Sequence, residues 1–103
     1  MRMGDMGKML KQAQKLQAEV ARVQEELGNE RVEASSGGGV VRAVASGHGD
    51  LVELTIDPSV VDPSDVDMLS DLILAAVNEA QRNARSLAES RMRAVTGGLQ
   101  LPF

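Results

Sequence analysis

From Met6 onward the apolar positions are Met6, Met9, Ala13, Leu16, Val20, Val23 and Leu27, with steps of three and four residues in alternation. That is the a/d seam of a heptad repeat, with Lys, Gln, Arg and Glu filling the positions between. It predicts a helix over about 6–27 that offers one narrow apolar stripe to a partner helix. Gly28 and Asn29 follow, the two residue types that most readily take the left-handed conformation closing a helix.

The period then changes to two. Residues 30–34 alternate, residues 40–46 are rich in β-branched side chains, and Val52, Leu54 and Ile56 alternate with Glu53 and Thr55. Ser35-Ser36-Gly37-Gly38-Gly39 and Gly47-His48-Gly49-Asp50 lie between these segments and carry turn residues. The pattern predicts three short strands joined by two hairpins, an antiparallel meander with one face to bury. Asp57-Pro58 ends the last strand, and Asp62-Pro63-Ser64-Asp65 supplies an N-cap, a proline at the first helical position and an acid at the third. Val66, Leu69, Ile73, Val77, Ala80, Ala84, Leu87 and Val95 keep helical spacing until Gly97-Gly98. This second helix should run about 33 residues, or about 50 Å at 1.5 Å per residue. A compact monomer of this length is not 50 Å across, so the distal half must project, pack on the first helix, or pack on another subunit. The expected fold class is α+β, in the order αβββα, with a single domain over residues 1–103.

Composition limits the core and the chemistry. The only aromatic is Phe103, so the core must be built from Val, Leu, Ile, Ala and Met, and a subunit interface would complete it. With no cysteine and one histidine, His48, thiolate nucleophiles, cysteine metal sites and paired-imidazole chemistry are excluded, and neither a catalytic residue nor a cofactor is expected. The longest apolar run, residues 72–77, is far short of the roughly 20 residues a membrane span needs, and residues 1–5 carry no apolar leader. A soluble cytoplasmic protein is expected.

Charge is segregated along the chain. Residues 1–24 hold Arg2, Lys8, Lys11, Lys15 and Arg22 against Asp5 and Glu19; residues 82–103 hold Arg82, Arg85, Arg91 and Arg93 against Glu89. Each end is therefore +3, while residues 25–81 set only Arg31 and Arg42 against twelve acids, and the whole chain is −4. A phosphate responds to charge within about a Debye length, roughly 8 to 10 Å, so the acidic total does not exclude a nucleic-acid partner. Lys8, Lys11, Lys15 and Arg22 form a stripe beside the apolar seam. Taken alone, a solvated face is the plainer explanation of such a stripe, and cations late in a helix also answer the helix dipole.

Other candidates have plainer explanations. Asp62, Asp65, Asp67 and Asp71 fit no calcium loop, and capping accounts for the first three. Gly37-Gly38-Gly39 precedes a strand rather than a helix, so it reads as a hairpin turn and not as a phosphate cradle. His48, between two glycines, reads as a turn residue. Met6 and Met9 lie on the seam and read as core or interface.

In sequence order, the chain carries Met9-Leu10-Lys11-Gln12-Ala13-Gln14, Gly37-Gly38-Gly39-Val40-Val41-Arg42, Ile56-Asp57-Pro58, Met68-Leu69-Ser70-Asp71-Leu72-Ile73, Ala75-Ala76-Val77-Asn78-Glu79-Ala80 and Gly97-Gly98-Leu99-Gln100-Leu101-Pro102. In the order and spacing of these segments it resembles the YbaB/EbfC family of bacterial nucleoid-associated DNA-binding proteins over nearly its whole length. The resemblance implies a non-enzymatic homodimer with projecting helical arms that binds double-stranded DNA with low sequence specificity in the cytoplasm, at the nucleoid, and organises it or regulates gene expression. It places the DNA contacts on the arms, here Lys8, Lys11, Lys15 and Arg22 with Arg82, Arg85, Arg91 and Arg93. Neither a membrane nor a small-molecule substrate is implied. The rival expectation is an acidic protein-interaction or chaperone-like dimer that uses the coiled-coil seam as a docking groove.

Overall fold

A heptad seam needs a second helix, and in the structure, a computed structural model describing residues 3–97, the two helices of the chain supply each other. The elements are α1 (Met3–Asn29), β1 (Arg31–Ser36), β2 (Val41–Ser46), β3 (Leu51–Ile56), a single 3-10 turn (Pro58–Val60) and α2 (Val66–Thr96). This is the expected αβββα order. The sheet is an antiparallel meander with β2 in the centre. Its register pairs Arg31 with Ser46 through Ser36 with Val41, and Val41 with Ile56 through Ala45 with Leu51, with an irregularity at Val44/Ala45. Gly37, Gly38 and Gly39 all take positive φ in the first hairpin, a conformation open to glycine at little cost.

α2 lies over β1 and β2. Ala76, Ala80 and Ala84 form one stripe of that helix, fully buried against Val41, Ala43 and Ala45. Small side chains on both surfaces let the two backbones approach closely, while Leu72, Ile73 and Val77 close the flanks. The cost is a lean core, in which Leu27 and Val41 are the largest side chains with almost no exposure.

The start of α2 differs from the sequence expectation. The cap is Asp65, whose carboxylate accepts from the Met68 N–H at 3.2 Å. Asp62 instead holds a turn, accepting from the backbone N–H and the hydroxyl of Ser64 at 2.9 and 2.7 Å. Two capping residues three apart each satisfied the same sequence signal, and Pro63 belongs to the turn before the helix.

α1 and α2 run antiparallel: Leu27 lies near Ala88, and Leu16 near Val95. The distal half of α2 thus packs on α1, and the pair forms an arm. Val23 and Leu27 are buried at its root, whereas Met6, Met9 and Leu10 lie more than half exposed, beyond the end of α2. Met6 and Met9 are therefore not core. The β2–β3 turn locks the root, where the Gly47 N–H donates to the Leu27 carbonyl at 2.9 Å and His48 Nε2 sits 2.7 Å from the Gln24 carbonyl.

Four carboxylates are held below their ordinary values in the fold: Glu19 and Glu33 by hydrogen bonds from Arg22 and Arg42, Asp57 by the Ser59 backbone N–H, and Asp62 by Ser64. The unfolded chain therefore binds protons more readily, so this stability is complete above the ordinary carboxylate range and is lost as pH falls through it. The melting temperature should fall between about pH 5 and pH 3. A flat profile there would contradict the assignment.

Candidate nucleic-acid interface

The arm places the eight basic residues in three different situations. Lys8, Lys11 and Lys15 lie along one exposed face of α1, set apart from the seam by helical periodicity. Among the described residues no carboxylate lies within ion-pair distance of any of the three, nor of Arg85 or Arg93. These five present unshared charge.

Arg22 continues the stripe but is forked between Glu19 and Glu26, at 2.7 Å from each. Arg82 pairs with Glu79 at 2.7 Å. All three pairs are surface contacts between neighbouring helical turns and contribute little, so a phosphate can compete for either arginine. Arg91 has a structural task, reaching Glu30 at 2.8 Å and tying the end of α1 to α2. Sixty-one positions separate those partners, so no local pattern could have linked them. The fork at Arg22 uses spacings of three and four and the Arg82 pair a spacing of three, both within reach of a local pattern.

The sheet offers no comparable surface. Arg42 is shared between Glu33, its hydrogen-bond partner, and Glu53 at 3.5 Å. With Val44 and Val52 these line a shallow cleft whose charges largely cancel. The aspartates Asp62 and Asp65 are engaged in the turn and cap already described, and Asp67 lies in the first turn of α2, where the helix dipole favours an acid. Among the described residues no helix is long and apolar enough to cross a membrane. The sequence reading of His48 as a turn residue holds; its contact with the carbonyl of Gln24, 24 positions away, needed the fold to bring the turn to the end of α1.

An αβββα protein with a two-helix arm, unshared cations on that arm and cancelled charge on its sheet is the class that these features define. The chain belongs to the YbaB/EbfC DNA-binding family, whose profile matches residues 3–99. It is 57% identical over 102 residues to a nucleoid-associated protein of Moorella thermoacetica, covering 99% of this chain and 98% of that one. It is 55% identical over 96 residues to a nucleoid-associated protein of Acetivibrio thermocellus, covering 93% and 85%. The crystal structure of an uncharacterized protein from Helicobacter pylori shares the fold, with a TM-score of 0.71 at 24% identity, covering 97% of this chain and 99% of that one.

Proposed function

We propose that the protein binds double-stranded DNA as a homodimer with low sequence specificity, through the basic face of each arm, and so organises the nucleoid or regulates gene expression in the cytoplasm. The observation that carries this reading is the segregation of charge: among the described residues Lys8, Lys11, Lys15, Arg85 and Arg93 stand on the arm without a carboxylate at ion-pair distance, while on the sheet Arg42 is taken up by Glu33 and Glu53, and Asp57, Asp62, Asp65, Asp67 and Asp71 gather before and at the start of α2. The names of the relatives support it. Lysine and arginine on an exposed helix face meet phosphate oxygens rather than base edges, which favours weak sequence dependence. With no aromatic residue before Phe103, stacking on unpaired bases has little to use, which favours duplex over single strands. The protein acts without cofactor or catalysis, as one domain over residues 1–103.

The dimer is proposed on shape and on exposed apolar surface. The radius of gyration is 20.4 Å, against about 13 Å for a compact chain of this length. The chain exposes 7404 Å², against about 5,600 Å² for a compact protein of this mass. Leu54 pairs with Ala43 on the side of the sheet that α2 covers, yet β3 lies outside the main footprint of that helix. Leu51, Leu54 and Leu74 remain 41, 39 and 58% exposed. A second copy is the proposed cover. Leu54→Asp should then sediment as a monomer, because a carboxylate cannot be buried unpaired in an apolar contact. Retention of the wild-type mass would remove this face from the interface.

The test of function is a mobility-shift series with duplex DNA at increasing salt. Four to six phosphate contacts give a slope of about −4 to −5 in the logarithms of affinity and salt. Absence of binding at low salt overturns the proposal. In that case the apolar tip formed by Met6, Met9 and Leu10 favours the second reading, a protein partner docked on the seam.

A further inference from the structure

At the root of the arm, Gln24 of α1, Gly47, His48 and Gly49 of the β2–β3 turn, and Gln81 and Arg85 of α2 line an open cleft of about 510 Å³. Its walls are fixed in place. The Gln81 side-chain amide donates to the Gly49 carbonyl at 3.1 Å, the His48 backbone N–H donates to the Ser46 hydroxyl at 3.2 Å, and the Gly47 N–H is bound to the Leu27 carbonyl. Among the described residues, Arg85 and His48 are the only ionisable groups in the lining, and no carboxylate joins them from α1, from the turn or from α2. Asp50, next in the turn, lies outside the lining.

The imidazole has a defined chemical state. A carbonyl can only accept, so the contact of 2.7 Å to Gln24 requires the hydrogen on Nε2. Nδ1 has no partner among the described residues, and it becomes a donor only when the ring takes up a second proton. A ring carrying hydrogen on both nitrogens would add a second charged donor to the Arg85 guanidinium.

We infer that this cleft is a phosphate subsite, in which Arg85 supplies a permanent charge and His48 takes up one proton from solvent as the phosphate enters. The inference rests on the reading of the arm as a DNA-binding surface and gives that surface a second contact, away from the lysine face and dependent on pH. The ligand chemistry is a phosphate group, whether a phosphodiester of DNA or free phosphate.

The test measures binding of a labelled duplex by fluorescence anisotropy at constant ionic strength from about pH 8 to about pH 6, the range in which an imidazole gains charge. Wild-type affinity should rise about tenfold, the worth of one charge-assisted hydrogen bond. His48→Gln keeps an N–H for the Gln24 carbonyl but cannot gain charge, so it should hold the alkaline wild-type affinity across the range. His48 is the only histidine, and a rise that survives its replacement belongs to the α-amino group or elsewhere and overturns the inference. Arg85→Gln, at an exposed position, should weaken binding at every pH, and unchanged binding in this variant also overturns it. Titration with inorganic phosphate, followed by the amide resonances of Gly47 and Gly49, separates the sources. Saturable shifts in the wild type that Arg85→Gln abolishes, in a protein that fails to bind DNA, would uphold the cleft as a free-phosphate site while the DNA reading falls. DNA binding that ignores pH, with no phosphate shifts, sinks the cleft and leaves the DNA reading standing.

Discussion

Gly47→Ala should lower the melting temperature by about 10–20 °C. A β-carbon at Gly47 would stand 2.3 Å from the Leu27 carbonyl oxygen and 2.9 Å from its carbon. Both are backbone atoms and cannot swing aside. The turn must lift from the end of α1, and with it go the Gly47 hydrogen bond, the His48 contact and the cover over Leu27, whose exposure is now 1%. Uncovering a leucine and losing one backbone hydrogen bond together cost about 2.5 kcal/mol, a large part of the roughly 5–15 kcal/mol that holds a domain folded. At about 4–8 °C per kcal/mol the stated range follows. Circular dichroism melting decides it: a shift under about 2 °C would mean that the turn does not bear on α1 as described.

The second large effect is on DNA. Replacing Lys8, Lys11 and Lys15 together with Gln should lower affinity roughly 100-fold near 0.1 M salt and flatten the salt slope by up to about 0.9 for each phosphate no longer neutralised. The melting temperature should stay close to the wild type, because exposed charges without partners contribute little to stability. The same variant separates the functional stripe from a merely solvated face. Unchanged affinity and slope would move the DNA-binding surface to Arg85 and Arg93 or remove it from the arm.

Much of this architecture was legible because it is local. The change of period from 3.5 to 2 and back located all five main elements, and the glycines at 37–39 marked a hairpin by their backbone freedom. What the sequence obscured depended on choices made in three dimensions. Asp62 and Asp65 compete for one signal, and only the geometry of the preceding turn decides which of them caps α2. A reading that ranks side chains by size looks to Val, Leu and Ile for the core and misses Ala76, yet Ala43, Ala45, Ala76, Ala80 and Ala84 are all fully buried there beside Val41. On the arm, charge clustering along the chain located the cations but not their partners. It could not distinguish Arg91, committed to Glu30 across the fold, from Arg85, which stays unshared.

The unsupported tip of α1 has a consequence for how the arm meets any anion. Its first turns run past the end of α2, so among the described residues no contact with α2 offsets the loss of chain entropy there. Gly4 and Gly7 add to that deficit by about 1 kcal/mol each relative to alanine, although a β-carbon at either would meet nothing within 4 Å. Helical order at the tip should thus be only marginally favoured, with helix–coil exchange expected in about a microsecond or less. Amide protons around Lys8 will accordingly exchange with solvent long before those of Ala80, and an anion that engages Lys8 and Lys11 must complete the winding of the helix that presents them. Association at the tip is therefore also a folding step, with a heat that grows as the free segment becomes less ordered.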